Sequence, residues 1–85
     1  MSETGAVAFN FLTTDIAVGM TFSRIASFSR QHSERRARNQ QRARQAYDAV
    51  LHYGSLARLT QAQRVDVDRR LAQLKFALER LGEVF

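Results

Sequence analysis

The stretch TQAQRVDVDRRLAQLKFALERLGEVF, Thr60–Phe85, decides the fold. Val67, Leu71, Leu74, Leu78, Leu81 and Phe85 recur at spacings of 4, 3, 4, 3 and 4. An α-helix turns that series into one continuous stripe, because residues three and four apart share a face. Asp66 with Arg70 and Lys75 with Glu79 stand one turn apart, in positions that place ion pairs on the outside. Thr60 and Gln63 form a T-x-x-Q capping box at the start, and Gly82 supplies a stop. A helix with one apolar stripe must bury it against other elements, so the rest of the chain has to supply them.

The preceding segment, ERRARNQQRARQAYDAVLHY, Glu34–Tyr53, follows the same rhythm. Ser33 is a suitable N-cap, and Glu34 suits the positive end of the helix, with Arg38 one turn on as an ion-pair partner. The expected buried face is Ala43, Ala46, Tyr47, Val50 and Tyr53, with Leu51 at its edge. The first half of the stripe is polar (Arg36, Asn39, Gln40), so that end is expected to lie open to solvent. Gly54 fits the position after the helix, where the left-handed region favours glycine. Leu56 and Leu59 in the connector are available to plug the end of the core.

Further upstream, AVAFNFLTTDIAVGMTFSRIASF, Ala6–Phe28, carries two apolar stripes. One is Phe9, Leu12, Ile16 and Met20; the other is Phe11, Val18, Phe22 and Ile25. Two stripes imply two neighbours, and a three-helix core needs little more than one of them. Polar Asn10, Thr13, Thr14, Asp15 and Arg24 interrupt the apolar run, which argues against a membrane span. Asp15 either caps a helix boundary or is buried beside an arginine of another helix. The expectation is an all-α, antiparallel up-down-up three-helix bundle. It forms a single domain over 1–85, with helices at about 6–29, 34–53 and 61–82.

Composition narrows the chemistry. The chain has no Cys, so disulfides, thiolate nucleophiles and Cys-based metal sites are excluded. His32 and His52 lie far apart, with no second His one turn from either. No metal-ligand spacing, glycine-rich phosphate loop or nucleophile motif occurs. No catalytic residue, metal or cofactor is expected. The formal net charge is +5, and the excess is local: residues 24 to 44 hold Arg24, Arg30, Arg35, Arg36, Arg38, Arg42 and Arg44 against Glu34 alone. Such a cluster attracts polyanions or acidic partners. GC-rich codon usage is a compositional alternative. Arg35, Arg38 and Arg42 share one helix face. With Tyr47 and Tyr53 assigned to the core, no exposed stacking platform accompanies them.

The segments NQQRARQAYDAVLHY and LTQAQRVDVDRRLAQLKFALERLGE resemble the helical hairpins of the tetratricopeptide and MIT families. There, a small-residue and aromatic helix, here Ala43, Tyr47 and Val50, packs on a Leu-rich helix. Upstream, GMTFSRIA resembles the first helix of small uncharacterised bacterial three-helix proteins. The likeness spans about residues 16 to 83 and implies a protein-interaction module.

The functional expectation is therefore a non-enzymatic, cytoplasmic adaptor or small regulatory subunit that binds another protein, or itself as a homodimer, and no membrane. Phe11, Val18, Phe22 and Ile25 form its candidate apolar partner face. Arg35, Arg38 and Arg42 form a candidate surface for a polyanion or an acidic partner. The second reading is a nucleic-acid-associated accessory protein using that basic face.

Overall fold

The computed structural model describes residues 2–85, with side chains described from residue 5 onward. Three helices follow in order: α1, Ser2–Phe28; α2, Glu34–Leu56; and α3, Gln61–Arg80. No strand occurs among the described residues, and the chain is an all-α three-helix bundle. Contacts between α1 and α2 pair rising with falling residue numbers: Phe11 with Tyr53, Gly19 with Ala46, Phe22 with Arg42 and Ala26 with Arg36. Consecutive helices are therefore antiparallel. The result is a rod 46 Å long and 17 Å across.

The boundaries are set locally where the sequence carries capping chemistry. Ser33 Oγ accepts the Arg36 amide at 3.1 Å. His32 takes a left-handed φ of 65° in the turn just before it. At α3, the Thr60 hydroxyl accepts the Gln63 amide, and the Gln63 side chain accepts the Thr60 amide in return. At its end, Gly82 at φ 102° donates to Glu79 O, and Glu83 donates to Leu78 O. That is the double hydrogen-bond pattern of a Schellman stop.

The core holds Leu12 and Ile16 from α1, Ala43, Tyr47 and Val50 from α2, and Val67, Leu71, Leu74 and Leu78 from α3. Phe9, Met20, Phe22, Ala57 and Leu59 pack around it. Gly19 is where all three helices meet. A Cβ there would stand 2.9 Å from a Leu74 methyl and 3.1 Å from the Ala46 Cβ, so the close approach requires glycine.

Several local expectations are overturned. Gly54 does not end α2: it is buried inside a helix that continues to Leu56. Arg64 of α3 donates to Gly54 O at 2.8 Å and Ala57 O at 3.3 Å, carbonyls at the end of α2 that no further helical turn satisfies. Tyr53 is turned outward and Leu56 is exposed, while Leu59 does pack on the core. The polar first half of α2 is not open. Asn39 is buried, its amide donating to Arg35 O, and Arg36 donates to Ala26 O of α1. The small residues Ser23 and Ala26, both buried, let α1 lie close enough to cover this end. α1 is continuous through Asp15, which therefore caps nothing. The Asp15 carboxylate is half-buried and forms no ion pair among the described residues. Asp66 pairs with Arg70 as expected, but Glu34–Arg38 and Lys75–Glu79 do not close. Lys75 lies instead 5.4 Å from the Phe85 ring centre.

Candidate functional site

Two adjacent helices leave a groove on each side, and α3 fills only one. On the filled side, Arg44 binds Asp48 at 3.2 Å and Glu83 at 3.0 Å and stacks 4.2 Å from the Phe85 ring centre. Gln40 donates to Glu83 at 2.6 Å, and Phe85 packs edge-on against Tyr47. The hydrogen bond to Asp48, reinforced by Glu83, raises the Arg44 guanidinium above its ordinary value against an opposing desolvation. On the outside of α3, the hydrogen bond from Arg70, with a further one from Arg69, holds the Asp66 carboxyl below the usual range.

Among the described residues, no element covers the other side. Along α1, Phe11, Val18, Phe22 and Ile25 line one face, with Phe11 56% and Val18 42% exposed and Phe22 and Ile25 half-buried. Asp15 sits one turn from both Phe11 and Val18 on this stretch. α2 contributes Tyr53, whose ring meets Phe11 edge-on at 6.1 Å, and Arg42, whose guanidinium lies 5.6 Å from the Phe22 ring centre. Towards the helix turn the face opens into a cleft of about 630 Å3. Ile25, Phe28, Arg24, Arg30 and Arg35 are among its lining residues. None of these arginines, nor Arg42, forms an ion pair among the described residues.

The two surfaces expected from the sequence are thus one surface. Arg42 lies against Phe22, and Arg35 shares the cleft with Ile25. Arg38 is exposed one turn from each and lies at the edge of this face. Sequence reasoning missed Tyr53, Phe28, Arg24 and Arg30 as members. The expectation that no aromatic is exposed beside the arginines is overturned by Phe28, 85% exposed in the cleft with Arg24, Arg30 and Arg35; Tyr53 is exposed too, at the far end of the face. The missed signal for Tyr53 was the number of apolar positions on α2, which exceeds what one buried stripe can hold.

The face has an aromatic end, Phe11 and Tyr53, an apolar middle, and a basic end. It can bind by apolar burial and by charge-assisted hydrogen bonds from arginine. By length and composition, Gly5–Phe28 is also long and apolar enough to cross a membrane, contrary to what its polar interruptions suggested. In the bundle the same helix buries Leu12, Ile16, Ser23 and Ala26. No protein-family model, curated protein or solved structure matches the chain.

Proposed function

We propose that the chain is a non-enzymatic helical protein-interaction module whose binding face is the uncovered α1–α2 groove. The observation that carries this reading is the coincidence of exposed Phe11, Val18 and Tyr53 with Arg35 and Arg42, which form no ion pair among the described residues, on one side of the rod. Apolar area of that kind rimmed by polar groups marks interaction sites. A bundle role for α1 is preferred over a span because Asp15 would fall near the middle of the bilayer. A central carboxylate there costs about 2.5–3.5 kcal/mol. The hairpin resemblance of residues 16 to 83 implies the same class of function.

A second reading, a nucleic-acid-associated accessory role, is favoured by Phe28. It is exposed in a cleft with Arg24, Arg30 and Arg35, the pairing of stacking ring and cations that single strands use. The test is recovery of partners from the native host with wild-type chain and with Phe11→Ser/Val18→Ser. Proteins retained by the wild type and by the α3 surface variant Phe76→Ser, but lost from the double variant, support the module. Equal recovery by all three removes it.

A further inference from the structure

Resting on that interaction reading, we infer that the occupant of the groove is an amphipathic helix of another protein that carries acidic residues over its half nearest the α1–α2 turn. The shape sets the class of occupant. Phe11 to Ile25 spans about 21 Å of helix axis, roughly four turns, and α2 runs alongside over the same length. A groove between two antiparallel helices takes a further helix whose apolar positions recur every three or four residues. In this bundle such a helix would occupy the fourth position, with α3 on the opposite side of the hairpin.

Charge sets the sign. The cations on and beside the groove are Arg24, Arg30, Arg35 and Arg42, with Arg38 at the edge, and all lack ion pairs among the described residues. The carboxylate of the groove itself, Asp15, lies in its aromatic half. Glutamates or aspartates on the occupant would reach the arginines over the basic half, where apolar packing by Phe22 and Ile25 lowers the local dielectric and strengthens each contact. A second copy of this chain fits less well. A two-fold contact brings the same patch against itself, and among the described residues this patch offers Asp15 against its own arginines.

The experiment uses the full chain and three labelled probes. One is a helical peptide of about 20 residues, with leucine at every third or fourth position and glutamate flanking the stripe in its C-terminal half. The second replaces those glutamates by lysine. The third is a mixed-sequence single-stranded oligonucleotide. Fluorescence anisotropy should show the acidic peptide binding at least about tenfold tighter than the lysine peptide. In Arg35→Gln/Arg42→Gln the preference should shrink severalfold, and in Arg35→Glu/Arg42→Glu it should shrink further against the remaining Arg24, Arg30 and Arg38, with helical circular dichroism unchanged. Equal binding of the two peptides would overturn the acidic specification and leave the interaction face standing. No binding of either peptide, with Phe11→Ser/Val18→Ser still retaining host partners, would remove both. Oligonucleotide binding that is lost in the glutamine variant while the acidic peptide fails to bind would assign the arginines to nucleic acid.

Discussion

Arg42 and Arg44 stand two residues apart on α2 and have opposite surroundings. Arg44 faces the side that α3 covers. It is held by Asp48 and Glu83 and lies over Phe85. Arg42 faces the uncovered side, where it lies by the Phe22 ring and forms no ion pair among the described residues. The same contrast runs the length of the hairpin. One groove is filled by Val67, Leu71, Leu74 and Leu78 and closed by the C-terminal residues. The other presents Phe11, Val18 and Tyr53 to solvent. The hairpin is thus satisfied on one side only. Stability is concentrated on the filled side, and the other is the side proposed for recognition.

The strongest way to break this contrast is to truncate one large side chain on each side. Leu74→Ala, at a site with no exposure, should lower stability by about 2–5 kcal/mol. Phe11→Ala, on the open side, should cost less than about 1.5 kcal/mol, chiefly the lost ring pair with Tyr53. Urea denaturation of both variants measures the difference. Equal costs would mean that the two grooves do not differ as described.

Next comes the point where the three helices converge. Gly19→Ala gains about 1 kcal/mol of helix propensity, but overpacking costs about 1–3 kcal/mol. Leu74 is fully buried and the Ala46 Cβ can move only with its helix, so the thermal midpoint should fall. A raised midpoint would show that the helices separate at that level without penalty.

The arginine pair gives a smaller effect. Arg44→Gln should lower the denaturation midpoint in low salt, and the loss should shrink in high salt as screening weakens the native pairs. Arg42→Gln should leave the midpoint unchanged at both salt levels. A matching loss in Arg42→Gln would reveal an ion partner on the open side.

The smallest expected effect lies outside both grooves. The folded pKa of Asp66 is lowered, chiefly by the hydrogen bond from Arg70. Its contribution to stability is therefore complete above the ordinary carboxylate pKa and is lost as pH falls through the lowered value. Asp66→Asn should flatten that acid limb in thermal melts taken across the carboxylate range and leave the neutral-pH slope alone.

The sequence by itself determined the three helices, the Ser33 and Thr60 caps, the Gly82 stop and the core stripe of α3. Those features depend on residues within about one turn of each other, so they are legible without the fold. The end of α2 was not legible, because the helix runs through Gly54 to Leu56 and its last carbonyls are capped by Arg64, ten residues beyond Gly54. Nor was the burial of Asn39 or the outward turn of Tyr53, because both depend on how α2 is rotated against α1. Periodicity shows which face of each helix is apolar, but not how the helices are rotated about one another. Only the tertiary structure decided that Phe11, Val18, Phe22 and Ile25 lie beside Arg35 and Arg42. That rotation was set at Gly19 and along the small residues of α1, where close packing of the three helices left the two patches facing the same open side.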